Sequence, residues 1–130
     1  PNSDFFLSLK IDYPNKSDRV LSDQSYPGGL IFIHGGCRTI GCIPITNSFI
    51  KELYILCVEA KNNGQESIPV HLFPARLTQE NFQLLSEQYP DKKLLNFWAQ
   101  LKLGYFLFEK NRKIPEVFIH SNGAYDFVEK

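Results

Sequence analysis

The residues able to do chemistry cluster between Ile31 and Thr46, in the stretch IFIHGGCRTIGCIPIT. His34 is followed by Gly35, Gly36 and Cys37, and Gly41-Cys42 closes the cluster. A thiol and an imidazole this near to each other along a chain can serve as nucleophile and base. A free thiol has a pKa of ~8.5, so only a few per cent is thiolate near neutrality. A neighbouring imidazole can take its proton and hold the thiolate as an ion pair. Gly41 places no side chain beside Cys42, which lets substrate and backbone approach. Backbone N–H groups around Gly41 and Cys42 can face a developing oxyanion. Nucleophile, base and donors together are the set that acyl transfer requires.

Other chemistries fit parts of the pattern. FIHGG at the end of a strand resembles the His-Gly-Gly segment of lipases and esterases, but no Gly-x-Ser-x-Gly elbow follows it and 130 residues are too few for that sheet. His34, Cys37, Cys42 and His71 offer the nitrogen and sulfur donors that zinc prefers. A single Cys-x4-Cys without a second Cys or His pair is an incomplete ligand set, so no metal is expected. A purely structural reading makes the segment a tight turn whose glycines serve backbone geometry.

Composition bounds the possibilities further. The 130 residues suffice for one domain with one core. Fourteen basic and fourteen acidic residues cancel, and no run of like charge suggests a nucleic-acid surface. No apolar run approaches the ~20 residues that cross a bilayer. The chain begins at Pro1 and contains no methionine, which reads as a processed or excised form, so a missing leader says nothing against export. Nothing in the sequence fixes an oligomeric state. Three cysteines cannot all pair within the chain. Cys57 recurs with Ile50, Leu53, Tyr54 and Ala60 at helical spacing and reads as a small core residue.

The elements that must position the cluster can be read along the chain. FFLSLKI (Phe5 to Ile11) alternates in part and reads as a strand, and DYPNKSDR supplies turn residues. Residues 21–29 read as a loop, and LIFI (Leu30 to Ile33) as a buried strand. Thr46 or Asn47 is placed to cap a helix running to about Asn62, with Gly64 as its stop. IPVHLF (Ile68 to Phe73) reads as a strand, and Thr78 caps a helix to about Tyr89. From Lys92 onward Leu94, Trp98, Leu101 and Tyr105 share a helical face, which Gly104 interrupts. PEVFIH and AYDFV flank Ser121-Asn122-Gly123, a hairpin signal. Phe73, Phe82, Trp98 and Phe108 are core candidates. Helices and strands that do not alternate in β-α-β order make an α+β domain with a sheet core.

IHGGCRTIGCIPIT resembles the active-site segment of the L,D-transpeptidase (YkuD-type) family, a His-Gly followed by Ser/Thr-x-Gly-Cys. It is most similar to the YafK-like branch, in which histidine and cysteine lie closer together and an extra cysteine follows the glycines. DYPNKSD and GQESIPVHLFPARLT also resemble that branch, so the likeness runs from about Leu7 to Tyr105. The resemblance implies Cys42 as nucleophile, His34 as base, Thr39 as the motif's hydroxyl residue and Gly41 before the nucleophile. Many members carry an arginine two residues after the cysteine and a histidine two residues before it. Here those positions hold Pro44 and Ile40. A contact to a substrate carboxylate then comes from Arg38 or Arg76 or is absent, and His71, in the apolar run VHLF, is either a satisfied buried histidine or a residue with a supporting role. Cys37 is read as a bystander and His120 as exposed.

The resemblance further implies a β-sandwich-like catalytic domain with helices at its margins, spanning residues 1–130 of a longer protein. It implies thioester chemistry on bacterial peptidoglycan stem peptides, by transpeptidation, carboxypeptidation or hydrolysis. The location it implies is the cell envelope or periplasm, and it requires no cofactor. The competing classes are a non-catalytic envelope-binding domain and a His/Cys metal-binding domain.

Overall fold

The computed structural model describes residues 5–130, so the first four residues of the range expected as one domain lie outside it. The elements run β1 (Ser8–Lys10), α1 (Lys16–Leu21), β2 (Phe32–His34), β3 (Ile43–Pro44), α2 (Thr46–Asn62), α3 (Gln79–Gln88), α4 (Lys92–Asn111), β4 (Glu116–Ile119) and β5 (Tyr125–Val128). This mixture of helices with small sheets is α+β, as the sequence pattern predicts. The chain divides into two compact units, one holding residues up to Tyr13 with Pro27–Val70, the other Pro14–Tyr26 with His71–Lys130.

In the first unit β1, β2 and β3 form one sheet in that order. β1 runs antiparallel to β2, with Ser8 opposite His34 and Lys10 opposite Phe32. β2 runs parallel to β3, with Ile33 beside Ile43 and His34 beside Pro44. Both expected strands are shorter than their apolar runs. Phe6 has a φ of 70°, which breaks the extended run before β1. Leu30 stays exposed, and β2 begins two residues later, where β1 can pair with it. β3 has two residues, paired with the last two of the three in β2. Its Pro44 is tolerated because this is an edge strand.

The inward face of α2 is the one its periodicity predicts: Ile50 is fully buried, and Leu53, Tyr54, Cys57 and Ala60 are half-buried. Its start differs from the expectation. The N-cap is Ile45, which makes no side-chain cap bond, and the oxygen of Asn47 is used elsewhere.

In the second unit, DYPNKSDR is not only a turn. Asn15 and Asp18 form a reciprocal capping box that starts α1. The buried Ser17 hydroxyl donates to the Gly123 carbonyl at 2.6 Å and fixes the helix to the β4–β5 hairpin. That hairpin forms where Asn122-Gly123 predicts it, with His120 N–H bonded to the Ala124 carbonyl. Thr78 caps α3 through the Asn81 N–H. α4 continues through Gly104, because the ring of Phe127 packs where a Cβ would stand. Trp98, Leu77 and Phe127 form the buried centre; Phe73 and Phe82 are half-buried and Phe108 is exposed. Ile68–Phe73 forms no strand, a correction to the sequence reading: the segment finds no partner edge, and Pro69 has no N–H to give one.

Candidate active site

His34 closes β2 and is 2 % exposed. Its position follows from the sheet: Ser8 lies opposite on β1 and Pro44 beside it on β3. The Phe5 ring packs against the imidazole at a centroid separation of 4.5 Å. Nδ1 lies 2.5 Å from the carbonyl oxygen of Gly35. A carbonyl can only accept, so Nδ1 is the donor of this bond, and in the neutral imidazole that leaves the lone pair on Nε2. Nε2 has no hydrogen-bond partner among the described residues.

Two glycines make this arrangement possible. A Cβ on Gly35 would stand 2.6 Å from Asn47 Oδ1, 2.7 Å from the Phe5 carbonyl and 3.2 Å from Ile50 Cγ2. Gly35 N–H donates to the Leu7 carbonyl at 3.0 Å. Gly36 has a φ of 77° and turns the chain out of the strand. Its N–H donates to Asn47 Oδ1 at 2.8 Å, and its carbonyl accepts from Thr46 N–H at 3.0 Å. The loop after β2 is therefore pinned to the start of α2.

The loop returns through Thr39, whose hydroxyl accepts from Gly41 N–H at 3.0 Å and donates to the Cys42 carbonyl at 2.9 Å. Thr39 thus shapes the turn that delivers Cys42 to β3. Gly41 N–H is consumed by this bond, which removes one of the two oxyanion donors expected from the sequence. Along β3, Ile45 N–H points at β2 and bonds the His34 carbonyl at 2.9 Å.

Cys42 is half-buried, and its thiol faces the Leu30 carbonyl at 3.9 Å. Cys42 immediately precedes β3, whose parallel register sets Ile43 beside Ile33 and Pro44 beside His34. Among the described residues its thiol and His34 are not hydrogen-bonded to each other.

Of the residues expected from the sequence, the first unit holds His34 at the end of β2 and Thr39, Gly41 and Cys42 on the loop between β2 and β3, with the exposed Cys37 and Arg38 on the same loop. His71 and Arg76 belong to the second unit. Arg76 is exposed, and its carbonyl accepts from Thr78 N–H and from Asn81 Nδ2. His71 meets Phe73 edge-on at 6.3 Å, and burial pushes its imidazole pKa down. His120 is exposed, 3.8 Å from Asp126. Among the described residues no group of three or more His, Cys, Asp or Glu side chains is placed to hold a metal ion. No helix among them is long and apolar enough to cross a membrane.

Comparison with known proteins gives two curated relatives, both called "Putative L,D-transpeptidase YafK", from Escherichia coli strain K12 and Escherichia coli O157:H7. Each is 38% identical over 125 residues, covering 96% of this chain and 48% of the relative. The chain thus spans about half the length of the curated relatives it matches. No protein-family profile matches it.

Proposed function

We propose that this chain, which belongs to the YafK-like branch of the L,D-transpeptidase family, carries out cysteine-dependent acyl transfer on peptidoglycan stem peptides. The observation that carries the reading is the buried His34. Its proton is committed to the Gly35 carbonyl at Nδ1, and Nε2 is left as the base, on the strand beside Cys42.

In the proposed reaction Nε2 of His34 takes the Cys42 proton. The thiolate attacks the carbonyl carbon of the third stem residue, and the Cys42 N–H donates to the oxyanion. The tetrahedral adduct collapses, His34 returns the proton to the leaving amine of the next residue, and a thioester on Cys42 remains. An amine of a second stem then attacks it and forms a cross-link, or water attacks it and frees the stem. Either way Cys42 regains its thiol. Rotation about the Cα–Cβ bond of Cys42 is the movement that turns the sulfur from the Leu30 carbonyl toward His34. Catalytic hydrogen bonds often tighten only when substrate is bound.

Arg38, on the same loop, is the proposed contact for a substrate carboxylate. The family's β-sandwich-like catalytic domain and a place in the cell envelope, where the substrate lies, are part of this proposal. No cofactor enters the scheme. Mass spectrometry of muropeptides incubated with the protein tests it: new cross-links report transpeptidation, and shortened stems or released protein anchors report hydrolysis. Binding of peptidoglycan with every muropeptide unchanged would replace the reading with a non-catalytic envelope-binding domain.

A further inference from the structure

We infer that Asn47 is a positioning residue for the base of this site: it fixes His34 through the peptide that joins Gly35 to Gly36. The inference rests on the assignment of His34 as that base. One peptide unit carries both groups involved. Its carbonyl, from Gly35, accepts from His34 Nδ1 at 2.5 Å, and its N–H, from Gly36, donates to Asn47 Oδ1 at 2.8 Å. A peptide is planar and trans, so its C=O and N–H point in opposite directions. Asn47 and His34 therefore grip opposite edges of one rigid plate. Turning that plate over would break both bonds at once.

The plate is one that would otherwise turn easily. Glycine flanks it on both sides, and neither flank has a Cβ to oppose rotation. The amide oxygen of Asn47 also occupies the space beside Gly35, 2.6 Å from where a Cβ would be. It thus sets the plate's position as well as its orientation. Hydrogen bonds in a chain polarise one another, so the bond from Asn47 strengthens the carbonyl as an acceptor for His34. A carbonyl held in this orientation keeps the proton on Nδ1 and the lone pair on Nε2. With the plate turned over, an N–H faces the imidazole, and the favoured tautomer is the one with its lone pair on Nδ1. In that tautomer Nε2 carries the proton and cannot take one from Cys42.

Asn47 is at the surface, so water can replace its oxygen as a partner for the Gly36 N–H. Water cannot replace its fixed direction. The expected effect is therefore moderate and lies in turnover. Partners that orient a histidine typically account for ~10–100-fold in activity, and the surface position places Asn47→Ala near the lower end, about tenfold in kcat with KM within about twofold. Asn47→Asp keeps an oxygen in place and restores most of the loss.

The test reads the tautomer directly. Protein labelled with 15N-histidine gives imidazole nitrogen shifts that separate the Nδ1–H from the Nε2–H form, and His34→Gln identifies the His34 signals. The parent and Asn47→Asp are expected in the Nδ1–H form, with Asn47→Ala shifted toward Nε2–H. Turnover of a muropeptide carrying a tetrapeptide stem is measured alongside. If Asn47→Ala does not fold, Asn47→Ser, whose hydroxyl is too short to reach Gly36, is read in its place. An unchanged His34 tautomer in the folded variant overturns the inference whatever the turnover. If the parent turns over no muropeptide, the proposed activity fails, and the tautomer still decides whether Asn47 positions His34.

Discussion

Replacing Gly35 by alanine should damage this site more than it damages the fold. The new Cβ would stand 2.6 Å from Asn47 Oδ1 and 2.7 Å from the Phe5 carbonyl, with Ile50 Cγ2 at 3.2 Å. Ordinary contacts of this kind lie several tenths of an ångström further out, and the Phe5 oxygen is backbone, so the alanine itself must shift. Forcing a methyl into a filled site costs about 1–3 kcal/mol. Reduced freedom of the unfolded chain returns about 0.4–1 kcal/mol. The net loss is about 1–2 kcal/mol, enough to lower a urea midpoint without preventing folding. The larger effect falls on chemistry, because the displaced residue supplies the carbonyl that holds His34 Nδ1. Misplacing a catalytic group by an ångström can cost ~100-fold, and a shift of about half that predicts a loss of roughly tenfold in kcat. Gly64→Ala, past the end of α2, is the control. Its φ of 87° makes alanine strained by about 1–2 kcal/mol, yet nothing lies within 4 Å of the added Cβ. Urea unfolding and muropeptide turnover are to be measured on both variants. Gly35→Ala with parental turnover, or Gly64→Ala losing turnover as heavily, would refute the reasoning.

Three further expectations concern other contacts. Thr39→Val removes the hydroxyl that bonds Gly41 N–H and the Cys42 carbonyl and should lower muropeptide turnover about tenfold. Thr39→Ser should restore it, since an isolated hydroxyl bond is worth about 0.5–1.5 kcal/mol; equal activity in all three proteins would contradict this. Burial holds the His71 pKa below its ordinary value, so the unfolded chain takes up the proton first as pH falls. The stabilising contribution is then fully present above pH ~6.5 and declines as pH falls from there through the folded pKa. His71→Phe should flatten that acid-side decline in urea titrations, and an identical slope in the variant would exclude the effect. Gly104→Ala drives a Cβ to 2.5 Å from the Phe127 ring. It should destabilise by about 1–2 kcal/mol despite alanine's better helix propensity, and a raised thermal midpoint would show that the ring gives way freely.

Local signals made part of this architecture legible in the sequence. The Asn122-Gly123 hairpin, the inward face of α2 and the Thr78 cap each depend on residues within a few positions of one another, and each forms as predicted. Elements that depend on a distant partner were not legible. β3 exists only because β2 runs beside it, whereas Ile68–Phe73 has strand composition but no such neighbour. α1 was hidden because its capping box uses Asn15 and Asp18 in a segment rich in turn residues, and because Ser17 secures it to Gly123, far along the chain. At the candidate site, residue type and spacing point to His34, Gly41 and Cys42, and the family resemblance adds Thr39. The bond from His34 to its own neighbour's carbonyl was not visible, since it depends on a rotamer and a peptide orientation. Asn47 was misread as a possible helix cap. Its type suits that role, but its oxygen is taken by Gly36 N–H.

The proposed chemistry stands or falls on where an acyl group attaches. The protein is to be incubated with a muropeptide carrying a tetrapeptide stem, quenched in acid, and digested for mass spectrometry of the peptide containing Cys37 and Cys42. The account predicts a stem-derived adduct on Cys42, labile to hydroxylamine as a thioester must be. It should be absent in Cys42→Ala and still formed in Cys37→Ala. An adduct on Cys37, or full turnover in Cys42→Ala, would contradict it.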